Sequence, residues 1–385
     1  MSARTTVGID VGSYQVRVVV SSESEAGAPK ILGTGYAESR GLRHGYIINA
    51  ADVRRALAHA VSAAESASGV QVRSAYVSVG GVGLEEFHSR AEVAVSRPDG
   101  VVSELDATSV MEAAERAIGK RITNRKILHA IPLAYQLDGE PVLGRPQGMT
   151  GQKLACEALF ITTLSQHLED LIAVIEELGI SVVDVMAAPL AGSFVTLTKA
   201  QKMTGCVLAN VGATTLSIVV YEDNTPISLK VFPVGANDIT NDIALGLKIS
   251  LEDAEQLKRG TLLGTNYSQK KLDDIMQARL SDMFDLIEAH LQQIGKAGLL
   301  PAGIILTGGG AGIATIEDLA RNALKLPSRR ATLQGLEGTR IRDASWAVAY
   351  GLTIWGLTNK EESPVGSLLR SLWRRAVGLV QRFLP

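Results

Sequence analysis

The sequence predicts an α/β protein whose sheets, of parallel type, are covered by helices. Strand-like and helix-like stretches alternate along the 385 residues, and glycine-rich turns close many of the strands. A strand, a tight turn and a second strand near the start return in similar form around residue 210. With 46% apolar and 20% charged residues the chain can build two domains or more.

The first element is the strand Val7-Gly8-Ile9, which runs into Asp10-Val11-Gly12-Ser13 and leaves along Val16 to Val20. Small residues in such a turn let backbone N–H groups approach a phosphate, and Asp10 at the strand end can hold magnesium through water. Taken alone, the turn equally describes a plain hairpin. Gly41 to Ile47 precedes a helix, and the strand Tyr76-Val77-Ser78-Val79 ends in Gly80-Gly81. A strand-like run from Leu84 to Val95, a helix from Leu105 to Ile118, and strands near Ile127 to Leu137 and Leu154 to Thr162 make a compact module with its own small core. A further helix starts near Ser165.

The hairpin then returns, as Cys206 to Ala209, Asn210-Val211-Gly212-Ala213-Thr214-Thr215 and Leu216 to Tyr221. Asn237 and Asp238 suit the start of a helix as its cap. Glu255 and Lys258 lie one turn apart on one helical face, the spacing of an intrahelical ion pair. Ile304 to Leu306 lead into Thr307-Gly308-Gly309-Gly310-Ala311-Gly312, expected to open a helix from Ile313 to Ala323. Two hairpins and a later triple-glycine turn fit a nucleotide held between similar halves, with phosphates gripped from both sides and the third turn under the base.

The final segment, residues 366–385, sorts into two faces at 100° per residue. Leu368, Leu369, Leu372, Trp373, Leu379 and Phe383 belong to one half, and Arg370, Arg374, Arg375 and Arg382 to the other. Four arginines argue against a membrane-spanning helix. A helix lying flat on an anionic bilayer fits better, with Trp373 in the headgroup layer. A helix packed on the protein's own core gives the same pattern. The formal net charge is −2, and setting aside the four tail arginines leaves −6 on the rest, which does not suggest nucleic acid. Cys156 and Cys206 form neither a disulfide framework nor a metal-ligand spacing, so a reducing cytoplasm is the simplest compartment. No apolar signal segment follows Met1, so export is not expected.

The set of turns resembles the actin-like ATPase superfamily, two ribonuclease-H-like halves around a nucleotide cleft. Several further stretches resemble the FtsA family of bacterial cell division. They are Gly41 to Ile47, Tyr76 to Gly81, Leu128 to Gly139, Gly148 to Gly151, Pro233 to Ala244 and Ala254 to Lys258, and the likeness covers essentially the whole chain. The resemblance implies a first half over 1–81 and 164–204, an inserted small α+β subdomain over 82–163 and a second half over 205–342. A helix over 343–357 would return to the first half, followed by a linker over 358–365 and the amphipathic membrane-targeting helix over 366–385. It also implies that Asp10, Gly12, Ser13 and Tyr14 form the first phosphate loop. Asn210, Gly212, Ala213, Thr214 and Thr215 would form the second, and Gly308, Gly309 and Gly310 the adenosine loop. Glu255 and Lys258 would reach ribose and base, with ATP and Mg2+ as ligands.

Departures from the family pattern bear on catalysis. Asn210 stands where aspartate is usual, Ala213 and Thr214 where glycines are, Ser217 where an aspartate often closes the motif, and Gln15 where lysine is common. Ala188-Pro189-Leu190-Ala191 lacks the glutamate that fast ATPases place beside the proline. Charge is lost where water would be activated, so ATP binding with slow or negligible hydrolysis is expected. Asp10 and Asn210 are the weak catalytic candidates that remain.

The expected role is a filament-forming adaptor at the division site. It would tether the tubulin-like FtsZ, through its C-terminal peptide, to the cytoplasmic membrane and recruit later division proteins. Weak tails become firm anchors when polymerisation aligns them. Thr358 to Pro364 reach about 23 Å, which keeps the body close to the bilayer. The alternatives are a type IV pilus adaptor of the PilM kind, which the Gly212 to Leu216 turn resembles, and an enzyme such as a sugar kinase or chaperone-type ATPase.

Overall fold

The computed structural model describes residues 4–23, 29–261, 267–334, 341 and 343–358. The predicted amphipathic helix over 366–385, with all its membrane-facing candidates, lies outside the described residues.

The chain opens as an antiparallel meander, β1 (Thr5–Val11), β2 (Gln15–Glu23) and β3 (Pro29–Glu38), followed by the short hairpin β4 (Leu42–Arg43) and β5 (Tyr46–Ile47). Helix α1 (Ala50–Ser68) starts at Asn49, whose side chain accepts from the N–H groups of Ala51 and Asp52, and ends at left-handed Gly69. Strand β6 (Ser74–Val79) joins β1 in parallel. Next come β7 (Glu85–Ala94), α2 (Glu104–Ile118), β8 (Arg125–Leu137), β9 (Glu140–Val142) and β10 (Lys153–Leu164), then α3 (Ser165–Glu176), β11 (Ser181–Ala187), α4 (Ala188–Thr196) and α5 (Lys199–Thr204). The later part is β12 (Cys206–Val211), β13 (Leu216–Glu222), β14 (Thr225–Phe232), α6 (Ala236–Leu247), α7 (Leu251–Lys258), α8 (Gln269–Gln293), β15 (Ile304–Thr307), α9 (Ile316–Leu324), β16 (Ser328–Arg330) and α10 (Ala347–Thr358).

Two five-stranded sheets share one plan, β11-β6-β1-β2-β3 and β16-β15-β12-β13-β14. Each is mixed, where the sequence suggested parallel sheets. Strands joined by turns of a few residues can pair only antiparallel, and just the two strands reached through crossovers run parallel. Helix α10 packs on β1 and α4, with Tyr350 and Leu352 fully buried. Each such side chain contributes roughly 1.5–3 kcal/mol.

The antiparallel sheet β7-β10-β8-β9 and α2 enclose a separate core containing Val110, Met111, Leu154 and Phe160. Helix α2 is fixed at its start by reciprocal bonds between Ser103 and Asp106. Despite desolvation, donors on Ser103 and Ser96 hold the Asp106 carboxyl at about 2. This unit also touches the second sheet. Glu86 accepts from Ser228 Oγ at 2.9 Å and from the Leu229 N–H at 2.6 Å, and His290 Nε2 lies 2.7 Å from Ser228 Oγ. Cys156 and Cys206 are free and buried, and burial pushes each thiol up to about 12. Among the described residues no helix is long and apolar enough to cross a membrane.

Candidate functional site

The β1–β2 and β12–β13 turns have the same construction. Val11 pairs with Val16 at the root of one, and Val211 with Leu216 at the root of the other. In each turn the glycine N–H bonds a carbonyl three residues on, Gly12 to Gln15 at 3.2 Å and Gly212 to Thr215 at 2.9 Å. A Cβ on either glycine would lie 2.8 or 2.9 Å from that carbonyl oxygen, so both positions exclude side chains. Ser13 and Tyr14 complete the first turn, and Ala213 and Thr214 the second.

Asp10, at the end of β1, accepts from Ser78 Oγ at 2.7 Å. It keeps part of its surface open, yet the protein crowds the carboxyl. Desolvation raises its pKa against the opposing Ser78 hydrogen bond and Arg17 charge. Asn210 holds the equivalent place in β12, paired with Ser217 as Asp10 is with Arg17. Among the described residues there is no group of three or more His, Cys, Asp and Glu side chains able to hold a metal directly.

The triple-glycine turn lies against the second hairpin. Thr307 pairs with Asn210. A Cβ on Gly308, whose φ is +86°, would overlap Asn210 Oδ1 and approach Val211 O to 2.6 Å, while one on Gly310 would meet Val211. Gly309 has nothing within 4 Å, so its backbone borders open space. The expected helix start at Ile313 is corrected to Ile316. A 3₁₀ turn spans Gly309–Gly312, and Ile313 is extended, so the helix begins only past the glycine run.

Helix α6, reached through β13 and β14, starts against the second turn. The N–H groups of Ala236 and Asn237 each bond, at 2.8 Å, the carbonyls of Gly212 and Ala213, and Asp238 accepts from the Gly235 N–H at 2.8 Å as a cap. Lys258 Nζ bonds Glu255 Oε2 at 2.6 Å, Thr240 Oγ1 at 2.7 Å and Ala236 O at 3.0 Å. The intrahelical pair therefore exists, but it fastens α7 to the first turn of α6. Burial lowers the Lys258 pKa even so. Arg259 bonds Glu255 Oε1 through Nε and the Tyr14 hydroxyl through Nη2, both at 2.7 Å. An unbroken chain of hydrogen bonds thus joins the first turn to the second.

Three contributors had no role in the sequence reading: Ser78 under Asp10, Arg259 over Tyr14 at 5.4 Å from its ring, and His44, whose Nδ1 lies 2.8 Å from Thr214 O. Arg259 carried a faint signal, its spacing of four from Glu255. His44 lay within a family-like stretch that suggested no contact.

Paired sheets of this order with a matching hairpin in each are the plan of the actin-like fold. The solved PilM-PilN type IV pilus biogenesis complex shares it with a TM-score of 0.68 and 15% identity, over 92% of this chain and 99% of that one. MreB5 of Spiroplasma citri bound to ADP shares it with a TM-score of 0.52 and 14% identity, over 91% and 96%. The family model for cell division protein FtsA matches residues 207–351, and the model for the SHS2 domain inserted in FtsA matches 81–162. Cell division protein FtsA of Borreliella burgdorferi is 30% identical over 379 residues, 92% of this chain and 91% of the relative. The chain belongs to the FtsA family of actin-like cell-division proteins.

Proposed function

We propose that the chain binds ATP with Mg2+ between the two turns and hydrolyses it slowly or not at all. It polymerises with its own kind, attaches FtsZ through the FtsZ C-terminal peptide to the cytoplasmic face of the membrane at the division site, and recruits later division proteins there. The observation that carries the nucleotide reading is Thr214 Oγ1, which is buried on the second turn without a hydrogen-bond partner. The glycine cradles at Gly12 and Gly212 and the open backbone at Gly309 fit the same ligand. A bound nucleotide supplies a polyanion that both sets of turn N–H groups can share. Asp10 would hold the metal through water, and Glu255, Lys258 and Gly308 to Gly310 would border ribose and base. Asn210 carries no charge to orient or deprotonate a water, which supports slow turnover. MreB5 was solved with ADP in the same fold.

Membrane attachment rests on the sequence of residues 366–385, where every charged side chain is an arginine. The test is sedimentation with anionic liposomes of the full chain and of a chain ending at Glu362, each with and without Mg-ATP, with phosphate release followed. Pelleting of the full chain alone, strengthened by ATP with little hydrolysis, is expected. Leu372→Glu with Trp373→Glu should abolish it. Equal solubility of both chains would overturn the anchor, and capture of a pilus-protein peptide in place of the FtsZ peptide would overturn the division role.

A further inference from the structure

His44 touches two places at once. Its Nδ1 lies 2.8 Å from Thr214 O in the second turn, and because a carbonyl only accepts, Nδ1 carries the proton and donates. Its own carbonyl accepts from the Val82 N–H at 3.0 Å. Val82 follows Gly80-Gly81, where the chain leaves β6 for β7 and the SHS2 unit.

The backbone here leaves no slack. His44 has φ +49°, Gly45 +91° and Gly81 +89°. A Cβ on Gly81 would sit 2.6 Å from the Gly45 Cα, so the β4–β5 hairpin and the root of the insert are pressed backbone to backbone. His167 Nε2 bonds Gly80 O at 3.3 Å, and Arg125 Nη2 bonds Gly83 O at 2.6 Å. The first turn reaches the same root through Asp10 and Ser78 of β6.

We infer that His44 is a positioning residue that transmits the state of the second turn to the root of the inserted SHS2 unit. Movement of the Thr214 carbonyl pulls on the His44 ring, and the rigid left-handed backbone passes that displacement to Val82. The inference rests on the nucleotide reading above and adds the route by which occupancy reorients the insert.

Amide hydrogen exchange at Val82 in the full chain reads the second contact directly, with and without a Mg-bound non-hydrolysable ATP analogue, while a fluorescent ATP analogue reports binding. In the native sequence the ligand is expected to slow Val82 exchange about fivefold, the worth of one hydrogen bond. His44→Gly accepts the left-handed backbone and removes the donor. It should bind nucleotide and lose the slowing. His44→Asn, which tolerates the same backbone and places an amide N–H near the Nδ1 position, should restore it. If His44→Gly fails to fold, His44→Asp, equal in shape to Asn but unable to donate when ionised, takes its place. Nucleotide binding without a change at Val82 in the native chain, or with the full change in His44→Gly, overturns the coupling alone. Absence of nucleotide binding in the native chain overturns the functional reading and the coupling together.

Discussion

Val11 meets Val16 at the root of one turn and Val211 meets Leu216 at the root of the other, yet the next pairs outward are Asp10 with Arg17 and Asn210 with Ser217. One backbone form therefore carries charge on one side of the molecule and none on the other. Their supports differ as well. The first turn is tied through two of its side chains, Asp10 to Ser78 and Tyr14 to Arg259, and by the Ser39 N–H on Tyr14 O, whereas the second offers only backbone carbonyls, Gly212 and Ala213 to α6 and Thr214 to the His44 ring. A turn's shape and its chemistry are therefore set separately. Glycine at one position fixes the shape, and residues outside it decide whether a charge is present.

The largest expected effect tests the shape. Gly308→Ala adds a methyl against Asn210 and Val211 at a positive φ, and overlap plus backbone strain should cost roughly 2–5 kcal/mol. Gly309→Ala, with open space around it, should change stability by less than about 0.5 kcal/mol. Paired chemical melts measure both, and equal losses would show that the second turn does not depend on that contact.

Charge comes next. Asn210→Asp makes the turns symmetric, and if charge is what turnover lacks, phosphate release should rise about tenfold or more. An unchanged rate in a variant that still binds ATP would place the deficit elsewhere, at Gln15 or Ala188.

A smaller effect follows from pH. The Asp10 carboxyl titrates above its ordinary 3.8 because burial disfavours its charge. Between 3.8 and that raised value the folded chain keeps a proton that the unfolded chain has released. Stability therefore falls as pH rises through this window, and the penalty is fully present above it. Asp10→Asn keeps the acceptor for Ser78 and removes the charge. Without nucleotide it should melt a few degrees higher than the native chain at neutral pH, with no advantage below pH 3.8. A uniform gain at every pH would assign the effect to packing.

The smallest effect belongs to Tyr14→Phe, which removes an exposed bond to Arg259 and should cost less than about 1 kcal/mol. Its sharper readout is the release rate of a fluorescent nucleotide, expected to rise a few fold while Asn210→Asp leaves release nearly unchanged.

Both turns are legible in the sequence because their signal is local, a strand, a glycine two residues past Asp10 or Asn210, and a second strand. The unit around α2 is legible for the same reason, since strand and helix periods change within a few residues. His44 against Thr214, Ser78 against Asp10 and Tyr14 against Arg259 are not, because partners 68 to 245 residues apart leave no local pattern. The helix after Gly312 starts three residues later than the sequence predicts, because apolar periodicity begins at Ile313, before the backbone has turned helical. Glu255 and Lys258 have the spacing of a surface pair, and only the fold shows Thr240 and Ala236 closing over them.

Glu86 has one further consequence. β14 is the outer strand of its sheet, and the Leu229 N–H points away from β13. Such a donor row is a template on which a foreign strand can pair. The carboxylate occupies that donor and the SHS2 unit stands in front of it. Growth of this sheet by strand addition at Leu229 is blocked, so this margin cannot serve as a strand-to-strand seam between copies of the chain.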